Sequence, residues 1–136
     1  MYIIRYLEDY HIIRVAFFGF LHGIEDVTPM MKELTATIEK YSCFRLFFDL
    51  RKTRIIDNYT ELFNFGINAS EYGFKREYKA VILFSEDEDK FKVLEKVLND
   101  RSYDLQLFRN ENAALIWLNQ TESSDLLDNS PNSGLS

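Results

Sequence analysis

The chain has 136 residues, 46% of them hydrophobic and 28% charged, with 16 basic against 22 acidic side chains and a formal net charge of −6. That length supports one well-buried core rather than two, and the acidic balance argues against nucleic acid as a partner, because such binding begins with a basic field. No run approaches the roughly 18 uninterrupted apolar residues of a membrane helix, and the opening MYIIRYLEDY lacks a signal peptide's basic start and apolar stretch, so a cytoplasmic protein without an integral membrane segment is expected.

Residues 2–6 and 11–18 are rich in Ile, Val, Tyr and Phe and are joined by Glu8, Asp9 and Tyr10, which predicts an N-terminal hairpin. From Gly23 onward Ile24, Val27, Met31, Leu34 and Ile38 recur at three- and four-residue steps, the stripe of a helix ending near Tyr41. Pro29 is tolerated only in a first turn, so this helix is predicted to start with Thr28 as its cap or slightly earlier with Pro29 in the opening turn. Cys43, the single cysteine, has no disulfide partner in the chain and reads as a reduced, semi-buried thiol just before a strand.

Residues 44–50, FRLFFDL, are almost continuously apolar, as a central strand covered on both faces would be. A charged stretch follows, and Asn58 with Glu61 three residues later forms a capping box for a second helix. Its predicted inner face is Tyr59, Leu62, Phe63, Gly66 and Ile67, with Gly73 at its exit. Residues 78–84, YKAVILF, read as another central strand, and Ser85 with Glu88 as the capping box of a third helix facing inward through Phe91, Leu94, Val97 and Leu98. Tyr103, Leu105 and Leu107 then alternate along a last strand, Arg109 and Asn110 break it, and Ala113, Ala114, Trp117 and Leu118 return at helical spacing. Residues 120–136 are rich in Ser, Asn, Asp, Pro and Gly and are expected to be a disordered tail behind a domain of residues 1–119.

The resulting order is ββαβαβαβα: an α/β fold with a mixed, mostly parallel five-stranded sheet, an N-terminal hairpin and four helices. The hairpin, the VILFSEDED strand-to-helix junction and the FRNENAALIWL ending together resemble small bacterial STAS domains of the SpoIIAA-like group, across about residues 2–118. The resemblance implies that fold, and a non-enzymatic binding or signalling role.

No pattern of committed chemistry stands in the chain. His11 and His22 have no Cys or neighbouring His at metal-ligand spacing, the five glycines are scattered singly without a phosphate-cradling loop, and no nucleophile has an identifiable base. No metal, cofactor or enzymatic activity is expected. The acidic run Glu86, Asp87, Glu88, Asp89 reads as helix-start chemistry, since carboxylates complement the positive end of a helix dipole.

Two candidate surfaces remain. Residues 49–60 leave the carboxyl end of a central strand, the place where open α/β sheets most often bind partners, and hold the densest basic cluster of the chain in Arg51, Lys52 and Arg54. With Asp57, Asn58 and Thr60 they are predicted to hold an anion or an acidic protein surface; otherwise the basic charges pair with Asp49 and Asp57 in a solvated loop. In the anti-sigma-factor antagonists that define the resembled group, an Asp-Ser-Ser/Thr-Gly motif follows this strand and is phosphorylated on its second hydroxyl. Here Asp57 matches, Asn58 and Tyr59 replace the hydroxyl residues, Thr60 comes one residue late and Glu61 replaces the glycine, so the phosphoserine switch does not carry over.

The second surface is apolar: Leu62, Phe63, Phe65, Tyr72 and Phe74 along the second helix and its exit, in a chain with 15% aromatic residues. They are predicted to pack as core or as a homodimer interface. Alternatively they line a pocket of roughly 300 Å³ or more for a small apolar ligand, as the similarity to lipid-binding domains of related topology implies.

Overall fold

The computed structural model describes residues 1–128, with side-chain surroundings through residue 120. Five strands form one sheet in the order β1 (Tyr2–Leu7), β2 (Ile12–Leu21), β3 (Arg45–Ile55), β4 (Lys79–Phe84) and β5 (Asp104–Phe108). The first two pair antiparallel as the predicted hairpin, and the remaining pairs are parallel. The helices are α1 (Gly23–Tyr41), α2 (Tyr59–Ile67), α3 (Glu88–Asp100) and α4 (Glu111–Asp128), with a short 3-10 turn at Ala69–Tyr72. Among the described residues no helix is long and apolar enough to cross a membrane.

Alternation along each strand sorts the side chains into two layers. Ile13, Val15, Phe48 and Ile82 face α1, α2 and α3, where Met31, Leu34, Leu62, Phe65 and Phe91 complete the larger core. Ile12, Phe47, Val81 and Leu83 face the other way, beneath Ala114 and Leu118 of α4. Cys43 is fully buried in the larger core and its thiol points at the His11 carbonyl, 3.3 Å away. Burial pushes that thiol above its ordinary pKa, leaving it an inert apolar filler.

Four local expectations are corrected. β3 does not end at Leu50: it runs five residues further, pairing with β2 from Phe18↔Lys52 to Leu21↔Ile55 after β4 has stopped at Phe84. One extra residue on β3 between Asp49 and Lys52, opposite Ala16 to Phe18, marks a bulge at the transition. α1 begins at Gly23, so Thr28 is no cap and Pro29 lies inside the helix. α3 is preceded by Asp87 in a left-handed conformation (φ 60°), not by a Ser85 box, and the Asp87 side chain turns away from the helix. On α2, Leu62, Phe65 and Gly66 are buried while Tyr59 and Phe63 are exposed.

α4 continues to Asp128, past the boundary expected near residue 119, and residues 129–136 of the expected tail lie outside the described residues.

Candidate functional site

The extension of β3 places the basic cluster on a strand, where neighbouring residues diverge. Arg51 clamps Asp49 with two parallel hydrogen bonds, Nε to Oδ1 at 3.0 Å and Nη2 to Oδ2 at 2.9 Å. Arg14 from β2 reaches the same carboxylate at 2.5 Å, and Glu111 at the start of α4 lies 3.3 Å from Arg51 and 3.6 Å from Arg14. Burial alone would raise the Asp49 pKa, but the bonds and charges of the two guanidiniums outweigh it and hold the carboxyl below its usual range.

Arg54 instead joins Asp87, Nε to Oδ2 at 3.1 Å. The same Asp87 accepts the Ile55 N–H at 2.8 Å, and Lys90 donates to the Ile55 carbonyl at 2.9 Å. Side chains at the start of α3 thus take over the ladder that β4 no longer supplies. Asp87 is also lowered, since the Ile55 N–H and Arg54 more than offset its partial burial. Lys52 is exposed and makes no ion pair among the described residues. The three cations therefore do not converge on one anion site; Asp49 holds Arg51 as expected, but Arg54 pairs with Asp87 and not with Asp57.

Asp57 serves α1. Only 6% exposed, it accepts the Gly23 N–H at 3.0 Å with Oδ2, while Oδ1 stands 3.6 Å from His22 Nδ1. Burial raises its pKa, the Gly23 bond lowers it, and the nearby Glu61 raises it further. The approach is possible because residue 23 is glycine: a Cβ there would strike the Asp57 carboxylate. This contact explains the helix start that Pro29 disguised, since Asp57 and the bond from His22 N–H to Asp26 Oδ2 at 2.6 Å satisfy backbone donors at the start of α1.

Between the start of α1 and the side of α2 lies an open cleft of about 340 Å³. His22, Glu25, Asp57, Glu61, Asn64 and Asn68 supply its polar lining, and Ile24, Phe65 and Tyr72 its apolar one. Asn58 and Glu61 form the predicted capping box, each backbone N–H donating to the other's side chain at 2.8 Å, which fixes the first turn of α2 beside the cleft. Thr60 is exposed in that turn. Ile56, Tyr59 and Phe63 are exposed on the same strand-end segment and helix.

The aromatic residues separate into two groups. Phe65 is buried, stacked on Tyr72 at 5.1 Å and edge-on to Phe74 at 6.3 Å, and Leu62 is buried beside it. Phe63 points outward at 48% exposure. Between α2, α3 and the sheet only about 80 Å³ of apolar space remains, lined by core residues including Phe65 and Phe74. The pocket of 300 Å³ or more expected for an apolar ligand is not formed there, because the aromatic side chains fill the layer themselves.

His22, Glu25, Asn64 and Asn68 were not singled out as site residues by the sequence, where His22 reads only as a loop histidine, and Ile24, expected in the apolar stripe of α1, is instead exposed at the cleft because it lies in the first turn, beyond the packed layer. Their signal is three-dimensional, apart from one hint: Glu61, Asn64 and Asn68 recur at helical spacing as a polar stripe flanking the apolar one.

No family model matches the chain, and no curated protein matches it by sequence. Solved structures do resemble it. One is an uncharacterised DUF3478-family protein with a SpoIIAA-like fold from Shewanella loihica PV-4, at a TM-score of 0.58 and 16% identity, covering 87% of this chain and 92% of that one. Another is the anti-sigma factor antagonist SpoIIAA in its unphosphorylated form, at a TM-score of 0.56 and 9% identity, covering 87% of this chain and 97% of that one. The likeness is one of fold: the chain has the SpoIIAA-like, STAS-type α/β architecture that its hairpin and closing βα unit imply.

Proposed function

We propose that this protein is a non-enzymatic binding or signalling module that docks a protein partner at the carboxyl end of its sheet, through the strand-end segment after β3 and the exposed side of α2. The observation that carries the reading is the grouping of four exposed apolar side chains, Ile24, Ile56, Tyr59 and Phe63, on the helix start, strand-end segment and helix that wall a polar cleft. Apolar anchors next to hydrogen-bonding groups are the composition of a protein interface. Among the described residues the cleft is lined by no serine, threonine or cysteine, so the His22–Asp57 pair has no hydroxyl or thiol of those residues to activate there. The fold is shared with SpoIIAA, itself an anti-sigma factor antagonist, which supports a signalling role.

The test uses Tyr59→Asp and Phe63→Asp, both on exposed positions that leave the core intact. Proteins cross-linked to the wild-type chain in cells should be lost from both variants while thermal stability stays unchanged. An identical set of cross-linked proteins from wild type and variants would remove this surface from consideration.

A further inference from the structure

The face of the sheet opposite α1, α2 and α3 is only half covered. α4 lies over β4 and β5, with Ala114 and Leu118 closing the small core. Toward β1 the layer stops. A hollow of about 270 Å³ is lined there by Ile3, Arg5, Leu7, Arg14 and Ala16. A second hollow of about 600 Å³ shares Arg14 and Ala16 and continues along β3 past Phe18, Asp49, Arg51 and Lys52. The two form one trough running along the strands, with the small side chain of Ala16 on its floor. At its end Gly19, with φ +97°, precedes Phe20, which is 71% exposed.

Size and charge both describe what fits. A helix is about 10 Å across and strands lie about 4.8 Å apart, so one helix covers roughly two strands. α4 already covers β4 and β5 and closes over Phe47 of β3 and Ile12 at the start of β2; β1 and the rest of β2 leave room for one more. The apolar floor is edged by four cations, Arg5, Arg14, Arg51 and Lys52, against two carboxylates, Asp49 and Glu111, and both of those are already engaged by Arg14 and Arg51. Among the described residues neither Arg5 nor Lys52 has an ion-pair partner. In a chain of net charge −6 this is a local reversal of sign.

We propose that the trough docks an acidic amphipathic helix of a protein partner, laid on β1 and β2 beside α4. Its apolar stripe packs on Ile3, Ala16 and Phe18, and its carboxylates meet Arg5 and Lys52. An anionic membrane is the poorer match, because the surface is a trough beside a standing helix and the whole molecule is negative. The trough and the α1–α2 cleft lie on opposite faces of the sheet, so this proposal stands independently of the strand-end surface.

The experiment offers the full-length protein three synthetic helices of about 18 residues, roughly 27 Å long, sharing one leucine and alanine stripe and differing in a glutamate-, glutamine- or lysine-rich polar face. Affinity is read by fluorescence anisotropy and the contact surface by backbone amide shifts. The glutamate-rich helix should bind at least about tenfold tighter than the lysine-rich one at low salt, shifting Arg5, Arg14, Ala16 and Phe18. Arg5→Glu combined with Lys52→Glu, two exposed positions without ion-pair partners among the described residues, should invert the preference, with the lysine-rich helix now shifting Arg14, Ala16 and Phe18 in an amide spectrum that is otherwise that of the folded wild type. Equal affinity for the three helices, no binding, shifts confined to α1 and α2, an unchanged preference in the double variant, or binding to phosphatidylserine vesicles in place of the peptides would each overturn the proposal.

Discussion

Single residues carry the long-range wiring of this domain. Asp49 is enclosed by Arg14 and Arg51 at 14% side-chain exposure, so Asp49→Ala leaves two guanidiniums facing each other with only the half-exposed Glu111 between them. We expect a loss of about 2 kcal/mol in urea unfolding at pH 7; a change within a few tenths would mean that water screens the pair. Asp57 has the opposite sign. Its folded pKa is raised, first by burial, so its favourable contribution belongs to low pH and is lost as the pH rises through that value. Asp57→Asn, keeping an oxygen for the Gly23 N–H, should therefore be more stable than wild type at pH 7, with the gap narrowing as the pH falls toward the ordinary carboxylate range of about 4. A constant gap at both pH values contradicts this assignment. The Asn58–Glu61 box was legible in sequence because it closes within four residues. The role of Asp57 was not, since its partner is 34 residues away.

At the scale of elements, the order of strands and helices was readable throughout, and the errors fall where a tertiary contact overrides a local rule. β3 continues through four polar side chains because β2 pairs with it and because Asp87 and Lys90 complete its edge. The one cue was Thr53 and Ile55, β-branched residues two apart and both buried, with Thr53 donating to the Phe17 carbonyl at 2.9 Å. Ser85 lost the start of α3 to Asp87, which does its work on β3 instead of capping. Phe63 and Phe65 both fit an apolar stripe on α2, and only packing against α3 decides between them. That packing depends on Gly66: a Cβ there would lie 2.6 Å from Val97 Cγ1 and 3.1 Å from its Cβ. Gly66→Ala gains up to about 1 kcal/mol of helix propensity, but overpacking a stiff, buried valine costs about 1–3 kcal/mol. Net destabilisation of about 1 kcal/mol is expected by thermal melting, and a stabilised variant would show that α2 shifts freely over α3.

For the molecule as a whole, the shifted carboxyls set the acid limit. Asp49, Asp87 and Glu88 all have folded pKa values below their ordinary ones: Asp49 and Asp87 because their partners outweigh burial, Glu88 through its bonds to Arg109 and Lys92. What they contribute is present above the unfolded range of about 4 and is lost as the pH falls through their folded values. Melting temperature should hold from pH 7 to about 5 and drop below 4; a midpoint falling already at pH 6 would contradict the assignment. The sheet also has a property that bears on how it is made. Strand order equals chain order from one edge to the other, so no strand must be inserted between two that already pair. As the chain leaves the ribosome, each new strand meets a finished edge made by the strand just before it. Growth can proceed in one direction, and α4, the last helix, closes β4 and β5 only after both exist.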